Sequence, residues 1–139
     1  SSAASDVYKR QVYEIAIRAH FDAAHALRGY GGKCEKLHGH RFQVVVCVAA
    51  EELNEIGLAY DFTALKRILN ERVISRLDHA NLNETPPFNE VNPSSENVAR
   101  FVYEEMKEAL AGVGAQLKWV QVWESPDAWV TYYGERSRT

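Results

Sequence analysis

His38-Gly39-His40-Arg41-Phe42-Gln43-Val44-Val45-Val46-Cys47-Val48-Ala49-Ala50 is the stretch that decides the fold class. From about His40 to Ala50, Phe42, Val44, Val46 and Val48 recur at every second position, the period of a strand with one face on a core. The two histidines at its head are of a different kind. Residues two apart on an extended chain project from one face, so both imidazoles can reach a single ion. Gly39 between them adds no side chain and lets the backbone pack closely. Upstream, Val12 to Phe21 alternates in the same way, with Ile15, Ile17, Ala19 and Phe21 on one side and Glu14, Ala16, Arg18 and His20 on the other. His25 follows on the parity of Phe21 and Ala23, and an antiparallel partner would bring it opposite His38 and His40.

Working outward, Gly29, Gly31 and Gly32 break the chain between these strands. Asp61 is a good N-cap, and Phe62, Leu65, Leu69 and Val73 follow at helical spacing, so Asp61 to Leu77 reads as an amphipathic helix. Ala80 to Pro93, with four asparagines and three prolines, reads as a long loop of the kind that often carries function. Ser94 or Ser95 caps a second helix with Glu96 in its first turn, and Gly112 and Gly114 end it. Val98, Phe101, Val102, Glu105 and Ala109 mark its inner face, with only Glu105 off-pattern. Leu117 to Glu124 and Ala128 to Gly134 read as strands joined by the turn Ser125-Pro126-Asp127. The order ββααββ predicts an α+β domain, a four-stranded and largely antiparallel sheet with two helices on one face. Residues 1–11 read as a disordered leader or tag remnant, 12–135 as one domain and 136–139 as a tail.

The 139 residues are 46% hydrophobic and 25% charged, an ordinary globular composition. The longest apolar run, Val44 to Ala50, is far short of the ~20 residues that cross a bilayer, and Ser1 to Gln11 lacks the features of a secretory signal. No membrane partner is expected. A formal net charge of −3 argues against nucleic acid. The charge is uneven, because Arg28, Lys33, Lys36 and Arg41 face a single acid, Glu35, between positions 28 and 41. That local excess suits either a solvated loop or an anionic small molecule. Two cysteines, Cys34 and Cys47, are too few for a disulfide framework, which points to a cytoplasmic protein with reduced thiols.

His25, His38 and His40 are three of only five histidines. Three neutral imidazoles with one open position is the donor set of a catalytic Zn2+, and the absence of a carboxylate favours zinc over iron. Cys34 fits either of two roles: a fourth ligand closing a structural site, or a thiolate base sharpened by the nearby dication and Lys33. Asp78-His79 suits a proton relay, provided that the chain bends after Leu77, or a histidine set against a helix dipole. Glu124, ending a strand that contains Trp119, could accept two parallel N–H bonds from the guanidine-like edge of a flat heterocycle.

Together these segments resemble the family of 6-pyruvoyl-tetrahydropterin and 6-carboxytetrahydropterin synthases. Phe21-Asp22-Ala23-Ala24-His25 resembles its F-x-A-A/S-H motif, and Cys34-Glu35-Lys36-Leu37-His38-Gly39-His40 its C-x-x-x-H-G-H motif. Asp61-Phe62 with Leu65-Lys66 resembles D-F-x-x-L-K, Leu77-Asp78-His79 through Leu82-Asn83 resembles L-D-H-x-x-L-N, and Asn92-Pro93-Ser94-Ser95-Glu96-Asn97 resembles N-P-T/S-S/T-E-N. Glu124 falls at the late glutamate. The resemblance implies a tunnelling fold (T-fold), in which the sheets of three subunits form a barrel and two rings stack into a homohexamer, a dimer of trimers. It implies zinc on His25, His38 and His40 and a substrate of 7,8-dihydroneopterin triphosphate. It gives Cys34 the part of base, Asp78 and His79 that of a relay often supplied by a neighbouring subunit, and Glu124 that of pterin anchor, with Ser95 and Glu96 also on the substrate side.

The spacing before His38 resembles the branch that makes 6-carboxytetrahydropterin, with loss of triphosphate and acetaldehyde, for queuosine and other deazapurines. The animal pyruvoyl branch resembles it closely. Glu35 after Cys34 also resembles forms in which glutamate acts and 6-hydroxymethyl-dihydropterin is released for folate synthesis. A different class remains open at this stage: a non-catalytic zinc-binding module closed by Cys34 and the three histidines.

Overall fold

The computed structural model of the chain describes residues 11–136; apart from Gln11 and Arg136, the expected leader and tail lie outside them. β1 (Tyr13–His25) and β2 (His38–Ala50) pair antiparallel over their whole length, with Phe21 opposite Phe42 and His25 opposite His38. Both strands are longer than the alternation suggests, since the ladder carries on through the polar positions at the histidine end. α1 (Phe62–Leu69) runs on through a π-helical segment (Asn70–Ile74) to a last helical stretch (Ser75–Leu77). α2 (Ser95–Ala109), β4 (Gln116–Ser125) and β5 (Ala128–Tyr132) follow. The predicted caps are in place: Thr63 N–H donates to Asp61 Oδ1 at 2.9 Å, and Asn97 N–H donates to Ser94 Oγ at 3.1 Å.

The sheet has five strands rather than four, in the order β3-β1-β2-β4-β5, and is largely antiparallel as expected, with one parallel pair. The extra strand, β3 (Ala80–Asn81), falls in the stretch read as loop and lies parallel to β1, with Ala80 beside Ala23. Two residues are too few to show a period, so only the docking of the chain after Leu77 creates this strand.

One face of the sheet is apolar and is covered by the helices. Phe21, Phe42, Val44, Val46, Val120 and Val122 are almost fully buried against Leu65, Leu69, Val73 and Leu77 of the first helix and Val98, Ala99, Val102 and Met106 of α2. Leu65, Leu69, Val73 and Leu77 recur strictly at four, which on an ideal helix of about 100° per residue drifts about 40° at each step. The wider π turn between them takes up this drift, and all four are at 0% exposure. Phe62, expected on that face, is 52% exposed. On α2, Ala99 and Met106 occupy the core, while Phe101, Glu105 and Ala109 are only half-buried. Glu105 sits off-pattern because it links the helices, 3.5 Å from both Arg72 and Arg76. Gly39 is not demanded by close packing within the chain, since a Cβ there would meet only the Ala23 carbonyl, at 3.8 Å. Among the described residues no helix is long and apolar enough to cross a membrane.

Phe21 and Phe42 stack at 4.8 Å directly below the histidines. Phe42→Ala removes one ring of that floor, and is expected to lower the unfolding free energy by about 3–5 kcal/mol in denaturant titration. A loss below about 1 kcal/mol would show that the floor is not part of the cooperative core.

Candidate metal centre

His25 ends β1, and His38 and His40 begin β2, all on the helix-covered face. Their ligand nitrogens lie within 4.8 Å of one another, and no other His, Cys, Asp or Glu among the described residues joins the group. The ring centroids are 4.6, 5.1 and 4.8 Å apart. His25 is at 0% exposure, the only buried polar or charged side chain among the described residues.

Backbone carbonyls orient two of the rings. His25 Nδ1 lies 2.7 Å from the Pro93 carbonyl, and His38 Nδ1 lies 2.6 Å from that of Lys36. A carbonyl can only accept, so each Nδ1 carries a proton, and in the neutral ring Nε2 then keeps its lone pair, the tautomer of a metal ligand. His25 Nε2 and His40 Nε2 are inaccessible to solvent and have no hydrogen-bond partner. Leaving such atoms unanswered costs about 1–3 kcal/mol each. Glu124 Oε1 faces the same two nitrogens, at 3.3 and 3.6 Å. A carboxylate oxygen set against nitrogen lone pairs is repulsive unless a proton or a cation stands between them. Burial, helped by the neighbouring imidazoles and opposed by Glu124, pushes the His40 pKa below its usual value, which favours the neutral, coordinating ring over a proton. The three histidines therefore fit a metal ion.

The other residues singled out by sequence stand apart from this cluster. Cys34 sits half-buried on a 3₁₀ turn (Lys33–Glu35), its carbonyl accepting from Leu27 N–H at 2.7 Å, and is not grouped with the imidazoles. Glu35 accepts from Gly29 N–H at 3.0 Å and Gly31 N–H at 3.2 Å, one with each carboxylate oxygen. Asp78 Oδ1 accepts from Asp22 N–H at 2.9 Å, and its Oδ2 lies 3.6 Å from His79 Nε2. The bend required after Leu77 is present at His79, whose φ of 60° is unusual for a residue other than glycine. The His79 side chain is 81% exposed. It opens on a groove of about 480 Å³ shared with Asp22, Gly39, His40 and Arg41. Glu96 is exposed and is not grouped with the histidines, and Ser95 is half-buried at the start of α2.

Of the four cations in the basic stretch, Arg28 donates to the carbonyls of Phe88 and Val91 at 2.8 and 2.9 Å, and Arg41 pairs with Asp22 at 3.0 Å. Burial and the nearby Glu14 raise the Cys47 pKa to about 11, so this thiol is inert at neutral pH. Sequence reasoning missed the Pro93 and Lys36 carbonyls, because a backbone acceptor leaves no residue-type signal.

Glu35→Ala removes the acceptor from two loop amides, and is expected to speed exchange of the Gly29 and Gly31 N–H groups about tenfold while metal binding stays unchanged. Hydrogen exchange followed by mass spectrometry, with a zinc titration alongside, checks both. Unchanged exchange would show that Glu35 does not brace the loop.

The chain and its fold have counterparts among known proteins. The family model described as 6-pyruvoyl tetrahydropterin synthase matches residues 14–135. A 6-carboxy-5,6,7,8-tetrahydropterin synthase of Synechocystis sp. is 37% identical over 120 residues, covering 84% of this chain and 89% of its own. A dihydroneopterin monophosphate aldolase of Pyrococcus furiosus is 38% identical over 110 residues, covering 79% and 88%. The structure of 6-pyruvoyl tetrahydropterin synthase from Caenorhabditis elegans superposes with a TM-score of 0.82 at 28% identity, over 91% of this chain and 99% of that one. With a family model matched across residues 14–135 and relatives 37–38% identical over most of their length, the chain belongs to the 6-pyruvoyl tetrahydropterin synthase family.

Proposed function

We propose that the chain is a zinc-dependent pterin synthase that converts 7,8-dihydroneopterin triphosphate to 6-carboxy-5,6,7,8-tetrahydropterin, with loss of triphosphate and acetaldehyde, in queuosine and deazapurine synthesis. The observation that carries this reading is the pair of buried, partnerless Nε2 atoms beside Glu124. His25, His38 and His40 would hold the metal; bound there, zinc supplies Lewis acidity that makes the substrate's side-chain hydroxyls and adjacent C–H bonds more acidic. Glu124 accepts the N–H pair of the pterin edge and so seats the side chain over the histidines. Cys34 takes up a proton as base. Asp78 holds His79, which returns one. The steps are proton transfer and elimination, with no redox cofactor.

Lys33 and Lys36 meet the triphosphate, because among the described residues they are the cations of their stretch with neither an ion pair nor a side-chain hydrogen bond, whereas Arg28 is held by carbonyls and Arg41 by Asp22. The protein works in the cytoplasm, where Cys34 stays reduced. It assembles as a hexamer of two stacked trimers, which covers the outer edge of β5 and brings Asp78 and His79 to a neighbour's site; an uncovered edge strand of this kind pairs readily. The choice of carboxy product over 6-hydroxymethyl-dihydropterin is supported by Glu35, whose two oxygens are both engaged by backbone amides.

Incubating zinc-loaded protein with 7,8-dihydroneopterin triphosphate is expected to yield 6-carboxytetrahydropterin by mass and chromatography. A 6-hydroxymethyl product would make Glu35 a participant, and no pterin product would overturn the reading. Cys34→Ala is expected to keep zinc and lose about 10²–10⁴-fold in kcat, as for removal of a general base. His38→Ala is expected to lose the metal. Zinc lost with Cys34, measured by metal analysis, would favour a closed site of one cysteine and three histidines.

A further inference from the structure

β1 ends at His25, yet the next three residues keep the hydrogen-bonding alternation of a strand. Towards the β2 side, Leu27 N–H donates to the Cys34 carbonyl at 2.7 Å. Towards the β3 side, where β1 has a partner only as far as Ala24, two asparagine side chains take over. Asn83 Oδ1 accepts from Ala26 N–H at 2.8 Å, and Asn83 Nδ2 donates to the Ala26 carbonyl at 2.9 Å. Asn92 does the same for Arg28, with Oδ1 accepting at 2.8 Å and Nδ2 donating at 2.9 Å. A primary amide carries one acceptor and two donors in a plane, so it can answer both backbone groups of one residue as a neighbouring strand would.

We propose that Asn83 and Asn92 are positioning residues: their side-chain amides stand in for the missing strand beside Ala26–Arg28, and so set His25 and Cys34 in one rigid frame. The link to Cys34 runs through Leu27. The link to the His25 ring runs through Pro93, next to Asn92, whose carbonyl holds Nδ1 at 2.7 Å. Asn97 Nδ2 donates to the Asn92 carbonyl at 2.9 Å and ties this turn to the start of α2. The Arg28 guanidinium closes the frame on the Phe88 and Val91 carbonyls. Cys34 and His25 come from different segments, and among the described residues no hydrogen bond or ion pair joins their side chains, so their relative placement rests on this backbone frame. The inference deepens the proposed function, since it rests on His25 as a ligand and Cys34 as the base.

The test uses the full chain with Asn83→Ala and Asn92→Ala, the conservative Asn83→Asp and Asn92→Asp, and Asn89→Ala as an exposed control. Zinc alone is titrated against a chromophoric chelator, and Cys34 alkylation by iodoacetamide is followed on metal-free protein with the buried Cys47 as internal reference. The alanine variants are expected to bind zinc about 10–100-fold more weakly, as when a ligand's orienting partner is lost, and to alkylate at Cys34 several-fold faster. Their kcat is expected to fall more than KM rises. The aspartates, which keep the acceptor and lose the donor, are expected to fall between; Asn89→Ala should match the unmodified chain. Wild-type zinc affinity and alkylation rate in both alanine variants would overturn the proposal. If the alanine variants fail to fold, the aspartates decide on the same two readouts. If the unmodified chain forms no pterin product while the variants still alter Cys34 alkylation, the synthase reading fails and the positioning role stands.

Discussion

His25 opposite His38 in the β1–β2 ladder is the constraint on which the rest of the molecule depends. Side chains on a strand alternate with a period of two, so a slip of one residue would carry every histidine and every core residue of that strand to the other face. The register is held by what lies further along the same face, where Phe21 stacks on Phe42 and valines of β2 and β4 pack under two helices. The metal centre is thus a continuation of the hydrophobic core into polar residue types. Moving the histidines out of register would mean exposing the core.

A second constraint follows from burying imidazoles. The Nδ1 atoms of His25 and His38 are answered by carbonyls from two loops, whereas the Nε2 atoms of His25 and His40 are left facing a carboxylate. Native proteins leave few buried polar atoms unpaired, and such exceptions concentrate at functional sites. Here the unanswered atoms share one small space, and a cation is the simplest group that answers them all. Glu124 adds negative charge on the open side, where the proposed substrate ring would lie.

The opposite edge of β1 carries the remaining chemistry. β3 lies there parallel to it, and the unusual backbone at His79 turns its ring out to solvent while Asp78 is held by the Asp22 amide. Proposed as a relay, and with its histidine open to solvent at the sheet's edge, this pair suits the proposed hexamer, in which one subunit completes the site of another.

Much of this was legible in the amino-acid order. The alternation around Phe42 and Ile17, the caps at Asp61 and Ser94 and the His-Gly-His spacing are properties of consecutive residues, because strand and helix periods act over a few positions. The same local reasoning misplaced Phe62, missed Ala99 and Met106 in the core, and could not show the two-residue β3. What only the tertiary structure decided are the pairings between distant segments: His25 with the Pro93 carbonyl across 68 positions, the Glu35 carboxylate turned onto loop amides, and Asn83 and Asn92 in place of a strand. The physical reason is that a backbone carbonyl or amide is present at nearly every position. The sequence by itself therefore determined which side chains could bind a metal and which face they would share, while long-range packing alone selected the backbone groups that hold them in place.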